Sequence, residues 1–269
     1  MRAVANGGGI MRLPTGRIIG NVTNKQMPLI GFGTWDVTGR RGYEAIRYAL
    51  EVGYRHIDTA TMYGNEAEVG RALRDSGIPR EEVYVTTKLP ASRQGHERST
   101  LEASLRALGV DSVDMWLIHW RPRDSVKMWQ EFIALREAGL ARGIGVSNYS
   151  TRHLDELIKA TGVTPEVNQI EWAPSLYDAQ RAAEHQQRHI ILEGYSALKN
   201  TNLSNPVLAQ IAAAHGVSAA QVVLRWHIEH GFVAIPKSVT RERIATNFDV
   251  FGFELTKSEV SKLDGLGSR

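Results

Sequence analysis

The sequence predicts an α/β fold, specifically a (β/α)8 TIM barrel with a small N-terminal β-hairpin. Two features of the chain favour this fold. Eight short apolar runs recur from residue 28 onward, and segments with the helical spacing of apolar residues separate them. Strands that are apolar on both faces and alternate with helices form parallel sheets, and eight such strands close a barrel.

The predicted strands are rich in β-branched and other apolar side chains. The hairpin is predicted ahead of them, because residues 11–19 alternate between apolar and polar side chains around Thr15-Gly16. In chain order the eight strands begin at Leu29-Ile30, Arg55-His56-Ile57, Val83-Tyr84-Val85, Val113–Ile118, Gly143–Val146, Val167-Asn168, Ile190-Ile191-Leu192 and Phe232–Ile235.

Residues that favour helix ends flank several of the segments between the strands. One apolar stripe stops at Gly53 and a second stops at Gly109, as expected where a helix ends in glycine. Three helix starts are predicted from residues that cap the first turn. They are a capping box of Asn65 with Glu68, Asn205 followed by Pro206, and Ser218.

An open, doubly wound parallel sheet is the alternative architecture. Such a sheet binds nucleotides through Gly-x-Gly-x-x-Gly after a strand. Gly31-Phe-Gly33 and Gly143-Ile-Gly145 both lack the third glycine at the required position. The barrel is therefore favoured over the open sheet.

The composition is that of a folded chain with a large core, since 42% of the 269 residues are hydrophobic and 23% are charged. Residues 1–10 lack the apolar core of a signal peptide, and we expect a flexible leader there. Residues 11–269 are expected to form a single barrel domain, because TIM barrels of about 250 residues fold as one unit.

Charge and cysteine content limit the partners. The net charge of +3 is spread along the chain and does not form the basic stripe of a nucleic-acid-binding protein. The absence of cysteine excludes disulfides, cysteine-zinc sites and a thiol nucleophile. No apolar run approaches the ~20 residues of a membrane helix. We expect a cytoplasmic monomer that binds a small molecule, and neither nucleic acid nor a membrane.

Polar residues follow every predicted strand, although the strand interiors are apolar. Active sites of TIM barrels lie at the carboxyl ends of the strands, so these residues are candidates for a site. They are Gly33-Thr34-Trp35, Asp58 with Tyr63, Lys88, His119-Trp120, Ser147-Asn148, Gln169, Tyr195-Ser196 and Lys237-Ser238.

Four ionisable members of this set predict a proton-transfer site. A tyrosine has a pKa of about 10, and a nearby ammonium such as Lys88 would lower the pKa of Tyr63 by stabilising the phenolate. Asp58 is the expected ion-pair partner of a buried lysine. His119 would orient a substrate oxygen through a hydrogen bond. Together the four would donate a proton to a developing alkoxide.

Each of the four residues also has a structural explanation. Tyr63 could pack in a loop, Lys88 and Asp58 could form an ion pair without a catalytic role, and His119 could be a core histidine. Their convergence favours the functional interpretation, because all four lie at the ends of the consecutive predicted strands two, three and four.

Seven motifs together resemble the aldo-keto reductase superfamily, from about residue 11 to residue 266. The sequence is similar in particular to bacterial members with a short C-terminal tail, such as 2,5-diketogluconate reductases. The motifs are Gly31-Phe-Gly-Thr-Trp35, His56-Ile-Asp-Thr-Ala60 with Tyr63-Gly-Asn-Glu66, Thr86-Thr-Lys-Leu89, Leu117-Ile-His-Trp120, Gly143-Ile-Gly-Val-Ser-Asn148, Val167-Asn-Gln-Ile-Glu171 and Ile235-Pro-Lys-Ser238.

The resemblance implies an NADPH-dependent reductase of aldehydes and ketones. Tyr63 would protonate the carbonyl oxygen while hydride passes from NADPH to the carbonyl carbon. Lys88 and Asp58 would lower the pKa of Tyr63, and His119 would orient the substrate. The implied cofactor-binding residues are Thr34; Ser147, Asn148 and Gln169 at the carboxamide; Tyr195 stacked on the nicotinamide; Ser196 and Leu198 along the pyrophosphate; Lys237, Ser238 and Arg243 at the adenosine 2′-phosphate; and Asn247 near adenine.

The substrate pocket is expected to lie between Trp35 and Trp120, because aromatic walls exclude water from the reacting atoms. Alternatively, these tryptophans cap the core. Arg121 and Arg123 would favour an anionic substrate unless they form a solvated face. Arg121, residues 171–174 and residues 194–199 depart from the usual motifs of the family, which affects the pocket rim and not the four catalytic candidates.

Two other functions are compatible with a barrel. A noncatalytic NADPH-binding regulatory barrel would not need the four ionisable residues that this chain retains. A metal-dependent hydrolase would need His-x-His ligands, which are missing. His185 and His189 have helical spacing but lack the glutamate of a His-Glu-x-x-His site, so we assign no metal.

Overall fold

The computed structural model describes residues 18–22 and 25–267. Its main sheet contains eight strands, all parallel, whose order in the sheet follows their order in the chain. They are β3 (Phe32–Gly33), β4 (His56–Asp58), β5 (Tyr84–Leu89), β6 (Val113–Ile118), β7 (Ala141–Ser147), β8 (Val167–Glu171), β9 (Ile191–Tyr195) and β10 (Val233–Ala234).

The first and last of these strands meet and close the sheet. A parallel bridge joins Ile30 to Ala234, and the amide of Gly31 donates to the carbonyl of Ala234 at 2.9 Å. One step further along, the amide of Gly33 donates to the carbonyl of Pro236 at 3.0 Å. The predicted TIM-barrel-like arrangement of eight strands is therefore present, with all carboxyl ends at one edge.

Helices alternate with the barrel strands and cover them on the outside. Two of them, α7 and α8, lie between β9 and β10, and α10 follows the last barrel helix. The helices are α1 (Gly39–Val52), α2 (Glu66–Asp75), α3 (Glu97–Leu108), α4 (Ser125–Glu137), α5 (Thr151–Thr161), α6 (Ala179–Gln187), α7 (Pro206–His215), α8 (Ala219–His230), α9 (Arg241–Phe248) and α10 (Lys257–Asp264).

An antiparallel two-stranded sheet precedes the barrel. Its strands are β1 (Ile18–Val22) and β2 (Lys25–Pro28), which pair from Ile18 opposite Pro28 to Val22 opposite Lys25. The turn Thr15-Gly16 of the predicted hairpin lies outside the described residues, so the hairpin over residues 11–19 stays a prediction; of those residues, Ile18 and Ile19 are described and pair with β2.

Most of the predicted helix boundaries are confirmed. Gly53 and Gly109 follow α1 and α3 with positive φ angles of 127° and 69°. The side chain of Asn205 accepts from the amide of Val207 at 2.9 Å, with Pro206 at the first helical position. Ser218 forms a capping box with Gln221 at the start of α8.

The capping box predicted for Asn65 and Glu68 is wrong, although α2 does begin at residue 66. The Asn65 side chain is fully buried and donates to the carbonyls of Thr34 at 2.8 Å and Val37 at 2.9 Å. Glu68 instead accepts from the amide of Gly39 at 3.1 Å. Asn65 ties the loop after β4 to the loop after β3, and Glu68 ties α2 to the start of α1, so the two neighbouring segments of the barrel mouth are fixed to each other.

The core falls into two groups of buried apolar residues. The larger group fills the barrel and the space between the barrel and α1 to α5. In this space the rings of Trp116 and Phe132 stack with their centroids 3.6 Å apart. The smaller group lies under α7, α8 and α10 and contains Trp172 and Trp226. In the described part of the chain no single helix is long and apolar enough to cross a membrane; only α7 and α8 together, bent by 87°, meet that criterion of length and composition.

Gly70 allows α2 to approach the end of α3 closely. A Cβ atom at this position would lie 2.6 Å from the carbonyl oxygen of Ala107 and would also overlap that of Leu108. We expect Gly70→Ala to lower the free energy of unfolding by about 1–3 kcal/mol, because overpacking against backbone atoms forces α2 to move. Urea unfolding followed by circular dichroism measures this loss.

Gly252→Ala is the matched control for Gly70→Ala. A Cβ atom at Gly252 meets no atom within 4 Å, and its φ is not in the left-handed region. The control is expected to be neutral or slightly stabilising, since alanine restricts the unfolded chain. Equal losses in the two variants would contradict the close approach of α2 and α3.

Candidate active site

Lys88 and Asp58 form a buried ion pair at the carboxyl edge of the barrel. Asp58 ends β4, and Lys88 lies near the end of the adjacent β5. The Lys88 Nζ donates to Asp58 Oδ1 at 2.6 Å and to the carbonyl of Thr59 at 2.8 Å. Both side chains are buried, so the ion pair predicted from the sequence is present.

Tyr63 and His119 lie beside this pair. A single 3-10 turn, Thr61–Tyr63, follows β4 and brings the Tyr63 hydroxyl to 3.5 Å from the Lys88 Nζ. His119 follows β6, and its ring meets the Tyr63 ring edge to face with centroids 5.7 Å apart. Thus the structure brings together all four ionisable residues that the sequence singled out.

The pKa of Tyr63 departs from the prediction. Burial raises it above its ordinary value, and the Asp58 carboxylate raises it further. The Lys88 ammonium lowers it, as expected, but does not outweigh burial. Lys88 therefore acts on the pKa of Tyr63 in the predicted direction, whereas the direct effect of Asp58 is opposite.

At neutral pH the Lys88 side chain is charged and the His119 side chain is uncharged. Burial acts to lower the pKa of Lys88, but the neighbouring Asp58 carboxylate and the Tyr63 hydroxyl bring it above its ordinary value. Burial lowers the pKa of His119 to about 4, and the positive charge of Lys88 contributes. Lys88 is thus an ammonium and His119 a neutral imidazole. The buried His119 Nδ1 has no hydrogen-bond partner in the described part of the chain.

The four residues predicted at the nicotinamide end are also neighbours. The Ser147 hydroxyl donates to the carbonyl of Gln169 at 2.8 Å, and the Asn148 amide nitrogen donates to that hydroxyl at 3.0 Å. The Tyr195 hydroxyl donates to Asn148 Oδ1 at 2.8 Å. These contacts place two amides, one hydroxyl and one half-buried aromatic ring at the ends of β7, β8 and β9.

The residues predicted at the phosphate end cluster less tightly. Ser238 is buried and caps the amide of Thr240 at 3.1 Å, just before α9, while Asn247 is buried within α9. Lys237 is partly exposed and lies 3.6 Å from the exposed Asp36. The rest of the predicted set comprises the exposed Arg243, the half-buried Ser196 and Leu198, and Thr34, which is buried and donates to the carbonyl of Asp58 at 2.9 Å.

Trp35 and Trp120 are unusually exposed for tryptophan, at 61% and 51% of their surface. Such exposure is more typical of rings that line an open pocket than of rings that cap a core, so the pocket interpretation is favoured. Trp120 borders an open cavity of about 560 Å³ that Asn148 and Tyr195 also line. Arg121 lies 3.8 Å from Glu156 in a partly exposed ion pair, so its charge is already offset.

Known proteins resemble this chain over most of its length. Residues 29–268 match the aldo/keto reductase family. The chain belongs to this family. An aldo-keto reductase of Mycolicibacterium smegmatis is 44% identical over 246 residues, which cover 89% of this chain and 90% of the relative. The methylglyoxal reductase DkgA of Yersinia pestis is 42% identical, covering 88% of this chain and 89% of the relative.

Solved structures of aldo-keto reductases share the fold. The Bombyx mori aldo-keto reductase in complex with NADP superposes with a TM-score of 0.86 and 31% sequence identity, covering 94% of each chain. The aldo/keto reductase of Brucella melitensis gives a TM-score of 0.87 at 42% identity, covering 90% of this chain and 96% of that structure. The family and its barrel therefore agree with the architecture described above.

Two buried polar residues of the site were missed by the sequence analysis of this aldo/keto reductase. Glu193 in β9 and His56 in β4 are both fully buried inside the barrel, with Glu193 Oε1 3.7 Å from His56 Nε2. Gln169 links Glu193 to Asp58, donating to each at 2.9 Å. The available signal was an acidic residue inside an apolar strand, at Ile191-Leu192-Glu193, and a histidine two residues before Asp58.

His185, considered and rejected as a metal ligand, has a structural role. Its Nδ1 lies 2.7 Å from the carbonyl of Arg181, and its Nε2 lies 2.9 Å from the side-chain nitrogen of Asn168. It is buried, so it is not part of an exposed histidine pair. Across residues 25–267, no three His, Asp or Glu side chains are grouped so that they could hold a metal ion.

We expect Asp58→Asn to lower the free energy of unfolding by about 3–5 kcal/mol, because it leaves the Lys88 ammonium buried without its counter-charge. Chemical denaturation measures the change. The double variant Asp58→Asn/Lys88→Met removes both charges, and it should lose less stability than Asp58→Asn alone. If the two single losses simply added in the double variant, the buried pair would not be coupled.

Proposed function

We propose that this protein is an NADPH-dependent reductase of aldehydes or ketones, in which Tyr63 donates the proton. The observation that carries the proposal is the contact of the Lys88 ammonium with both Asp58 at 2.6 Å and the Tyr63 hydroxyl at 3.5 Å. A charged donor fixed between a carboxylate and a phenol stabilises the phenolate that remains after proton transfer.

Tyr63 suits the role of proton donor because it stays protonated. Burial holds its pKa above the ordinary value, so the phenol carries its proton throughout the neutral range. As the proton leaves, negative charge develops on the hydroxyl oxygen, which the Lys88 ammonium then stabilises. The stabilisation is thus greatest after transfer, which is where a catalyst needs it.

Asp58 supports this step by keeping Lys88 charged. Without a carboxylate, burial would favour the neutral amine, which donates a weaker hydrogen bond. The Asp58 contact instead raises the pKa of Lys88 above its ordinary value, against the effect of burial. We therefore assign Asp58 to the electrostatics of Lys88 and not to direct proton transfer.

His119 would orient the substrate oxygen as a neutral hydrogen-bond donor. Its pKa of about 4 keeps the imidazole uncharged, so it does not compete with Tyr63 as an acid at neutral pH. The edge-to-face contact of the two rings, with centroids 5.7 Å apart, supports a shared position at the barrel mouth that both side chains could reach. A carbonyl oxygen at that position would receive both hydrogen bonds.

The residues at the strand ends fit a nicotinamide cofactor, which supplies the hydride when bound. Ser147, Asn148 and Gln169 offer the amide and hydroxyl groups that a carboxamide requires. The Tyr195 ring is held by its hydroxyl bond to Asn148 and would stack on the nicotinamide. The Bombyx mori relative is a complex with NADP, which supports the same cofactor here.

A preference for NADPH over NADH is proposed from the start of α9. The first turn of this helix has no side-chain cap, so its backbone amides are available to a phosphate. Lys237 and Ser238 precede the helix and Arg243 lies in its first turn, which adds cationic and hydroxyl donors. We assign these residues to the adenosine 2′-phosphate, Asn247 to adenine, and Thr34, Ser196 and Leu198 to the remaining cofactor contacts.

The substrate is proposed to be a small carbonyl compound that enters beside Trp35 and Trp120. Both rings are exposed and would become covered when substrate and cofactor bind, which excludes water from the reacting atoms. The name of the Yersinia pestis relative, methylglyoxal reductase, is consistent with a small dicarbonyl.

Tyr63→Phe is expected to reduce the turnover of an aldehyde such as methylglyoxal at least ~100-fold, because the proton donor is lost. NADPH should still quench the tryptophan fluorescence of this variant. Tyr43→Phe is the matched control: its hydroxyl bonds Asp75 at 2.7 Å on the outer helices, away from the site. Turnover by Tyr63→Phe at the parent rate would refute the assignment, and quenching without turnover in the parent would favour a regulatory barrel.

Arg243→Ala is expected to weaken NADPH binding about tenfold or more, since a hydrogen bond to a charged group contributes about 1.5–3 kcal/mol. NADH binding should change little, because NADH lacks the 2′-phosphate. Arg241→Ala in the same helix is the control, as the Arg241 guanidinium lies 3.9 Å from the Tyr48 ring. Fluorescence titration with both dinucleotides measures the difference, and equal weakening of both would exclude the 2′-phosphate role.

A further inference from the structure

Glu193 is a buried acid for which the proposed reaction has no use. It lies in the middle of β9 with no exposed surface, between apolar neighbours on the strand. Burying a carboxyl group is costly unless its oxygens receive hydrogen bonds. The only hydrogen bond to it from the described residues comes from Gln169, which donates to Glu193 Oε2 at 2.9 Å.

Gln169 uses both of its amide hydrogens on carboxyl groups. One goes to Glu193 and the other to Asp58 Oδ2, also at 2.9 Å. The NH2 group can only donate, and both partners offer oxygen acceptors. The contact with Asp58 determines which way the amide faces, because the reversed amide would bring its oxygen against the oxygen of a carboxylate.

The amide oxygen of Gln169 remains able to accept a hydrogen bond from a ligand. It is bonded to the same carbon as the NH2 group and points away from both carboxyl groups. Among the residues that the structure describes, none donates to it. The neighbouring Asn148 is different, since its oxygen accepts from Tyr195 and its nitrogen donates to His119 and Ser147.

We propose that Glu193 is a positioning residue: together with Asp58 it holds the Gln169 amide so that Gln169 offers only an acceptor oxygen to the nicotinamide carboxamide. With Asp58 alone, the amide could pivot about a single hydrogen bond. The second contact, from the next strand, fixes its plane. This inference rests on the proposed nicotinamide cofactor, and it makes the NH2 group of the carboxamide the feature that Gln169 recognises.

The parent protein should prefer NADP+ over its 3-acetylpyridine analogue. The analogue keeps the carbonyl oxygen but replaces the NH2 group with a methyl, so it cannot donate to Gln169. We expect a preference of about threefold to tenfold in dissociation constant, the contribution of one neutral hydrogen bond. Quenching of tryptophan fluorescence measures both dissociation constants.

Glu193→Met removes the acceptor while keeping an unbranched side chain of similar length, and it should reduce this preference to about twofold or less. Glu193→Gln restores an acceptor oxygen and should keep the parent preference. A merely structural role would not separate the two variants in this way. Glu193→Asp shortens the acid by one methylene and should give an intermediate preference, which tests the same contact if the methionine variant does not fold.

Gln169→Met tests whether Glu193 acts through Gln169. In this background Glu193→Asp should no longer change the preference, because Glu193 acts through Gln169. The inference is overturned if the parent binds both dinucleotides equally, if every Glu193 variant keeps the parent preference, or if Glu193→Asp still acts in the Gln169→Met background. If the parent binds neither dinucleotide, the proposed cofactor itself is wrong, which is a distinct result.

Discussion

The ion pair between Lys88 and Asp58 is the interaction on which the rest of the site depends. A buried lysine is stable only if its charge is matched and its donors are used, and Lys88 meets both conditions with Asp58 and the carbonyl of Thr59. The remaining donor direction is toward Tyr63, at a distance of 3.5 Å. The barrel supplies the geometry, because adjacent parallel strands end at one edge and bring residues 30 positions apart into contact.

The loops around the pair are fixed by buried polar contacts and not by helix capping. Asn65 shows this best, since its position before α2 suggests a cap, yet its side chain joins the loop after β4 to the loop after β3. Thr61 adds a further link by donating to the carbonyl of Lys88 at 2.9 Å. The turn that carries Tyr63 is thereby attached to β5, so the distance between Tyr63 and Lys88 is set by the fold.

The eight strands and the polar residues at their ends could be predicted from the sequence, because the spacing of apolar residues and the residues that end a strand or helix are local features of the chain. The sequence did not predict hydrogen-bond partners or burial that depend on residues distant in the chain. The partners of Asn65 are the carbonyls of residues 31 and 28 positions away, which no spacing rule reveals. The pKa of Tyr63 depends on burial, which outweighs the charge of Lys88. The acid in β9 is visible in the sequence, but the role of Glu193 is not, because its partners, Gln169 and His56, lie on other strands.

The protonation state of Glu193 affects the charge balance inside the barrel. Burial and the charge of Asp58 raise the pKa of Glu193 to about 8, which favours its neutral form at neutral pH. Its Oε2 accepts from Gln169, because an amide NH2 group can only donate, so a proton on this carboxyl group would lie on Oε1, toward His56. His56, whose pKa burial lowers to about 4, is neutral as well. Among the described residues inside the barrel, the Lys88 ammonium and the Asp58 carboxylate then remain as the charged pair. A second carboxylate would oppose the formation of a phenolate at Tyr63, so a neutral Glu193 can orient Gln169 without weakening the acid.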